Sequence, residues 1–351
     1  GSAQGIVHPW AVEFATDNDV VTEITGSVEH VDLCGYDGWA DVFLIAPATA
    51  NTVGKIAGAV DDTPVTTCAT TALGADTPVV IAPAMHEPMY DHPGVLEAID
   101  TVSEWGVDFV DPRLEEGKAK IASEEAIVTD VARVAGDRPL AGDHVVVTSG
   151  ATSESIDPVR VITNRSSGKM GRAVAQACYV RGADVTLVHD GPDVSYATVK
   201  QVESASEMLA ATREACADAD ALVSAAAISD YTVEASDEKL RSGQELTLEL
   251  EPTPKLIDEV RAENPGLPIV GFKTETSGDE AAMIEQARAT LDRAELAFVV
   301  ANDASVMGSE TTRALLVHAN DAARYEGSKL GLGGEIADSI AAVLGAEPTD
   351  D

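Results

Sequence analysis

IDPVRVITNRSSGKMG, residues 156–171, follows an apolar strand pattern, HVVVTSGATSES (144–155), and runs into a helical one, RAVAQACYVRGADVTLV. The order predicts two short polar loops bracketing a helix N-terminus, the second holding Asn164, Arg165, Ser166, Ser167, Gly168 and Lys169. Unpaired backbone N–H groups at a helix start, a glycine that permits close approach and two cations suit a phosphate or carboxylate. The loop has neither the GxxxxGK[ST] spacing nor GxGxxG. Read alone, it is a Ser/Gly turn capping a helix.

Outward from this stretch, DVTLVHD, ALVSAAAISDY, LPIVGFKTET, ELAFVVANDASVM and RALLVHAND read as strands. Helical patterns such as SASEMLAATREACADA, MIEQARATLDRA and GGEIADSIAAVLGA alternate with them. Such alternation predicts a Rossmann-like, doubly wound α/β domain over 142–351. Ligands in these sheets sit beyond the carboxyl ends of the strands, which points to Ser149, Ser224, Asp230, Phe272 and Asn302. EKLRSGQELTLELEPTPKLIDEV breaks the alternation, and its LTLELE run predicts an antiparallel inserted flap. Upstream, DVFLIAPAT and PVVIAPAM read as buried strands of a second α/β domain over 1–137, and DRPLAGDH (137–144) as the link.

A chain of 351 residues can bury two cores. Its four cysteines, Cys34, Cys68, Cys178 and Cys216, show no CxxC or Cys/His ligand spacing, which disfavours a disulfide scaffold or zinc site and fits a cytoplasmic address. No apolar run approaches the roughly 18 residues of a membrane span, and the start carries no signal pattern. The net charge of −37 is spread along the whole chain. Nucleic acid would be repelled, and such a surface fits a salt-rich solvent whose ions screen the self-repulsion.

In order and spacing, DPVRVITNRSSGKMG, SAAAISDY, EKLRSG, TPKLI, GFKTET and AND resemble the bifunctional phosphopantothenoylcysteine decarboxylase/phosphopantothenate–cysteine ligase family of coenzyme A biosynthesis. LIAPATANTVGKIAG and PAMxxxMY resemble its decarboxylase half, and the acidic composition a haloarchaeal member. The resemblance implies a flavodoxin-like first domain and a ligase that activates 4′-phosphopantothenate with CTP and Mg²⁺ as an acyl-cytidylate. Cysteine then displaces CMP. It implies that Asn164 holds the activated carbonyl and that Ser166, Ser167, Gly168 and Lys169 cradle the pantothenate-side phosphate. Ser224, Ala225 and Ala226 would pass under the nucleotide. Asp230 would meet ribose and metal, Lys239 the triphosphate, Thr253, Pro254, Lys255 and Leu256 the nucleotide, and Phe272 its base. Taken singly, Asp230 is a turn cap, Lys239 an exposed flap cation, Phe272 core and Asn302 a turn residue. Thr290 and Ala294 stand where bacterial members place lysines. Arg288, Arg293 and Lys273 are the nearby cations, which leaves CTP against ATP open.

For the first domain the resemblance implies FMN-dependent decarboxylation to 4′-phosphopantetheine, with His30 managing a proton and Thr49, Asn51, Thr52 and Lys55 on the turn that meets the flavin. His86 replaces the family's substrate-binding asparagine. PRLEEGKAKIAS replaces the clamp segment and its cysteine, leaving Lys118 or Lys120 as local donors. GSAQGIVHPW aligns after the family's first strand and phosphate loop, so a truncated chain that binds FMN poorly is expected. The family's halves assemble as ligase dimers and decarboxylase trimers or dodecamers, so a homo-oligomer is expected. Two other readings are a short-chain-type NAD(P) oxidoreductase, suggested by VVVTSGATSESI but lacking GxxxGxG and YxxxK, and a flavodoxin-like regulatory subunit.

Overall fold

The computed structural model describes residues 5–241, 243, 245–275, 280–303 and 311–345. The chain divides into two compact units, Gly1–Gly136 and Asp137–Asp351.

The first unit is built on a parallel three-stranded sheet in the order Phe43–Ala48, Val79–Pro83, Asp108–Phe109. Successive strand residues face opposite sides. Val79 and Ile81 therefore pack with Val53, Ala69 and Val102 of helices Ala50–Ala57, Pro64–Gly74 and Pro93–Glu104. Val80 and Ala82 pack with Ala126 of helix Glu124–Ala135. Val79–Pro83 is buried throughout, as its apolar run predicts. Phe43–Ala48 departs from that prediction: among the described residues it lies at the sheet edge, and Leu44 is 38% exposed. Helix Pro64–Gly74 has no counterpart in the periodicity. PVTTCATTALG is rich in threonine, a middling helix former, and the helix is set by Pro64 in its first turn and a capping box between Thr63 and Thr66.

The second unit holds an eight-stranded sheet ordered Thr198–Gln201, Asp184–His189, His144–Thr148, Ala221–Ser224, Ile269–Glu275, Phe298–Asp303, Thr311–Val317, Ala322–Ser328. The first six strands are parallel and the last two antiparallel. Val145, Val147, Leu187 and Phe298 pack with Val174 and Cys178 of helix Lys169–Val180 and with Leu332 and Ile336 of helix Lys329–Leu344. Val146, Leu222, Ile269 and Val299 pack on the other face with Met208 of helix Ala205–Ala215, Val260 of helix Leu256–Glu263 and Leu291 of helix Glu280–Ala294. The sheet is therefore doubly wound. The strand order reverses between His144–Thr148 and Ala221–Ser224, where such sheets hold ligands.

Three expectations are corrected here. The strand predicted over 144–155 ends at Thr148, because the chain turns at Gly150 (φ +84°) and starts a separate hairpin, Ser153–Asp157 with Arg160–Thr163. Residues 153–163 therefore form a hairpin in place of the first predicted loop, while the second, over 164–168, stands as a loop before the helix. The flap's antiparallel pairing is short: of LTLELE only Leu250 and Glu251 join a strand, Leu250–Pro252, against Tyr231–Val233. RALLVHAND is followed by a further strand, Ala322–Ser328, whose sparse apolar content hid it.

Candidate functional site

Two loops run side by side at the point of reversal. The N–H of Ala227 donates to Gly150 O (2.9 Å), that of Ser229 to Thr152 Oγ1 (2.8 Å) and that of Ala226 to Thr148 Oγ1 (3.2 Å). Asn164 Nδ2 donates to Ala227 O at 3.0 Å, which hangs the loop after the hairpin on this scaffold. The structure thus brings Asn164 together with the segment of Ser224, Ala225 and Ala226. Gly168 is left-handed (φ +66°), and a Cβ there would lie 3.1 Å from Gly150 N and from Ser149 Oγ. A Cβ on Gly171 would come within 2.5 Å of Ser149 Cβ. These two glycines let the helix Lys169–Val180 close on the strand, and its N-cap, Gly168, offers no side-chain acceptor to the first N–H groups. Ser166 and Ser167 are exposed beside them, and Lys169 is half-buried.

Asp230 and Lys255 form an ion pair at 2.5 Å, and Thr253 donates both its N–H and its hydroxyl to the carbonyls of Asp230 (3.0 Å) and Ser229 (2.5 Å). Residues 253–256 are thereby fastened to the same edge. Lys255 is the N-cap of helix Leu256–Glu263, again without a side-chain acceptor, while Leu256 is buried and structural. Phe272 is half-buried in the middle of strand Ile269–Glu275 and packs on the core. Asn302, on the adjoining strand, has a buried Oδ1 without a partner among the described residues. Lys239 is exposed next to Leu240, whose backbone N–H and carbonyl are held by Asp157 (3.0 Å) and Arg160 (3.2 Å). Of the replacement cations, Arg293 pairs with Asp258 (3.1 Å) and Lys273 reaches Gln286 (3.4 Å). No group of three or more His, Cys, Asp or Glu side chains suited to a metal gathers among the described residues.

In the first unit, Ala84 N–H donates to Ala48 O (2.8 Å), which joins the turn after Phe43–Ala48 to Met85–His86. Thr49 caps helix Ala50–Ala57, with Asn51 exposed in the first turn. Lys55 lies not on the turn itself but in the last turn of that helix, where it is held by Asp62 at 2.6 Å. His30 sits on a separate short helix, Glu29–Cys34, with a buried Nδ1 that has no partner among the described residues, and hydrogen bonds link it to neither Thr49 nor His86. Exposed hydroxyl and amide donors and a buried unpaired imidazole nitrogen fit the ring side of a flavin. His86 pairs with Lys118 across an antiparallel ladder, and Met85, His86, Lys118, Ala119 and Lys120 line a cavity of about 290 Å³. Lys120 is committed to Glu115 and Glu116, both at 3.0 Å, whereas Lys118 makes no ion pair among the described residues.

Sequence reasoning missed Glu154, Asp157 and Thr152, buried polar residues that hold these loops together, and Gly171. The signal available was their setting in ATSESIDPVR and GKMG, polar and glycine positions beside a ligand loop.

Fold and site together define a doubly wound α/β domain with uncapped helix starts at its strand reversal, a chemistry that suits an anion, preceded by a smaller α/β unit. The family model for the DNA/pantothenate metabolism flavoprotein C-terminal domain matches residues 140–344, and the Flavoprotein model residues 1–136. The chain is 51% identical over 322 residues to the Coenzyme A biosynthesis bifunctional protein CoaBC of Thermococcus kodakarensis, covering 90% of this chain and 80% of that protein. It is 36% identical to the protein of that name from Methanocaldococcus jannaschii, covering 95% and 83%. The crystal structure of the DNA/pantothenate metabolism flavoprotein from Streptococcus pneumoniae covers 57% of this chain and 99% of its own, at 25% identity and a TM-score of 0.52. The chain belongs to the family of bifunctional coenzyme A biosynthesis proteins. The oxidoreductase and regulatory-subunit readings fall with that assignment.

Proposed function

We propose that residues 142–351 ligate 4′-phosphopantothenate to cysteine through an acyl-cytidylate, and that residues 1–137 decarboxylate the product with FMN. The observation that carries the ligase reading is the zipped pair of loops at the strand reversal, with Asn164 bound to Ala227 O and two uncapped helix starts held at the same edge. In the first step the substrate carboxylate attacks the α-phosphorus of CTP and pyrophosphate leaves. In the second the cysteine amine attacks the acyl carbon and CMP leaves. The first-turn N–H groups from Lys169 onward, with Ser166 and Ser167, bind the pantothenate-side phosphate. Lys239 meets the triphosphate, and Ala225 and Ala226 leave room for the nucleotide over the strand end. The bond to Ala227 O fixes the Asn164 amide plane, so its second N–H is aimed before the acyl oxygen gathers charge. Among the described residues Asp230 is the carboxylate that would hold Mg²⁺ at this edge, where the ion would neutralise charge on the phosphates. Lys255, now paired with Asp230, would have to release it for that role.

In the first unit FMN, when bound, would take two electrons from the substrate, which makes carbon dioxide a leaving group, and would return them afterwards, so that 4′-phosphopantetheine forms with no net change of oxidation state. Asn51, Thr49 and Thr52 bind and orient it from the helix start, and His30 holds a proton at Nδ1. His86 and Lys118 bind the substrate carboxylate in the 290 Å³ cavity. On this reading the active form is an assembly of identical chains, and the protein works in the cytoplasm. Asn164→Asp tests the ligase reading, because it loses the bond to Ala227 O and sets a negative charge beside the acyl oxygen. With CTP and phosphopantothenate it should release pyrophosphate yet accumulate the acyl-cytidylate after cysteine is added. Normal CMP release by this variant overturns the role given to Asn164.

A further inference from the structure

The hairpin over residues 153–163 carries two buried carboxylates that the two chemical steps leave unused, Glu154 (5% exposed) and Asp157 (2% exposed). We propose that Asp157 is a positioning residue of the ligase half, which latches the segment carrying Lys239 and thereby sets where its ammonium group stands. The role of Lys239 rests on the ligase reading above; the latch itself is independent of it.

Asp157 divides its two oxygens between two tasks. Oδ1 accepts the N–H groups of Val159 and Arg160, both at 2.8 Å, and closes the hairpin turn. Oδ2 accepts Arg160 Nη1 at 2.5 Å and the N–H of Leu240 at 3.0 Å, 83 positions along the chain. Arg160 completes the ring by donating from Nη1 (3.2 Å) and Nη2 (3.3 Å) to Leu240 O. One ion pair therefore holds both backbone polar groups of the residue that follows Lys239. Further rungs run in parallel: Ser236 N–H donates to Ile156 O at 2.9 Å, and Thr232 Oγ1 to Glu154 Oε2 at 2.8 Å. Glu154 Oε1 also accepts the N–H of Ala205 (2.8 Å), which ties the hairpin to helix Ala205–Ala215. The turn alone needs a single side-chain acceptor, which asparagine or serine supplies. A buried second oxygen facing a guanidinium and a distant amide is explained by what it holds. Burial alone would raise the Asp157 carboxyl. The N–H groups of Val159, Leu240 and Arg160 and the Arg160 charge outweigh that and keep it below the usual carboxylate range.

Asp157→Asn separates the two tasks, since Oδ1 can keep the turn while an NH₂ at the Oδ2 position cannot accept from Leu240 or Arg160. In the full chain in molar KCl, amide exchange of residues 236–241 should accelerate at least tenfold while residues 153–163 stay protected. Pyrophosphate release should lose at least tenfold in kcat/KM. That loss should largely vanish when the same change is made in a Lys239→Ala background, because neighbours acting through one group are not additive. Unchanged exchange at 236–241, or a loss that persists in full without Lys239, overturns the proposal. If Asp157→Asn does not fold, Arg160→Gln carries the same test, as it frees Leu240 O and leaves the turn intact. Should the wild-type chain release no pyrophosphate from any nucleoside triphosphate, the ligase reading fails by itself. The exchange result then still upholds or overturns the latch.

Discussion

Replacing Gly171 by alanine probes the packing that positions the ligand loop. A Cβ there would stand 2.5 Å from both Cβ and Oγ of Ser149 and 3.0 Å from its Cα. Relaxed carbon–carbon contacts lie near 3.5–4.0 Å, so helix Lys169–Val180 must retreat from its strand by about 1 Å. Overpacking of this kind costs about 1–3 kcal/mol. A gain of about 1 kcal/mol in helix propensity offsets part of it. The net loss of up to about 2 kcal/mol corresponds to a fall in Tm of up to roughly 8 °C for a unit of this size. The retreat also carries Gly168 and the first-turn N–H groups away from the loop at Gly150, and a misplacement of about 1 Å costs around 100-fold in rate. Activity should therefore fall further than stability explains. Adding Ser149→Gly removes the obstructing Cβ and should restore most of both, short of about 1 kcal/mol for the lost bond from Ser149 Oγ to Gly168 O (2.9 Å). Differential scanning fluorimetry and a coupled pyrophosphate assay on the two single variants and the double variant measure this. A Gly171→Ala protein with unchanged Tm and rate would refute the close-packing argument.

In the first unit, Lys118→Ala in flavin-loaded protein should raise KM for the decarboxylase substrate about tenfold, a loss of about 1.4 kcal/mol of binding. Lys120→Ala, whose charge is committed to Glu115 and Glu116, should change it little; equal effects would dismiss Lys118 as the carboxylate's partner. The charge of −37 predicts a steep rise in Tm between dilute buffer and molar KCl, as the screening length shrinks from about 30 Å at 0.01 M to about 3 Å at 1 M. A melting curve indifferent to salt would contradict it. Because the folded Asp157 carboxyl is held below its unfolded value, its stabilisation is present above the unfolded value of about 4 and is lost as pH falls through the lower folded one. Proteolysis at the flap should accordingly accelerate on acidification of the wild type and show a weaker pH response in Asp157→Asn, and identical profiles would remove Asp157 as the titrating group.

The parallel sheets were legible because buried strands such as Val79–Pro83 and Ala221–Ser224 are unbroken apolar runs between helical patterns. The loop over 164–169 was legible because its composition is that of an anion-binding turn. The hairpin over 153–163 was not. Glu154 and Asp157 read as solvated loop residues until partners 51 to 83 positions away in sequence, at Ala205, Thr232 and Leu240, come to meet them. Strand Ala322–Ser328 escaped because it lies at the sheet edge with mostly exposed side chains. Lys55 could not be placed from its motif, since the helix that begins at Ala50 carries it to the last turn, where Asp62 takes its charge.

Phosphorus NMR on the wild-type chain in molar KCl with CTP, 4′-phosphopantothenate and Mg²⁺ tests the ligase assignment most directly. Pyrophosphate and an acyl-cytidylate resonance should appear before cysteine is supplied, and CMP should appear only after its addition, one for each pyrophosphate. No pyrophosphate from CTP or ATP, or pyrophosphate formed equally well without phosphopantothenate, would contradict the account.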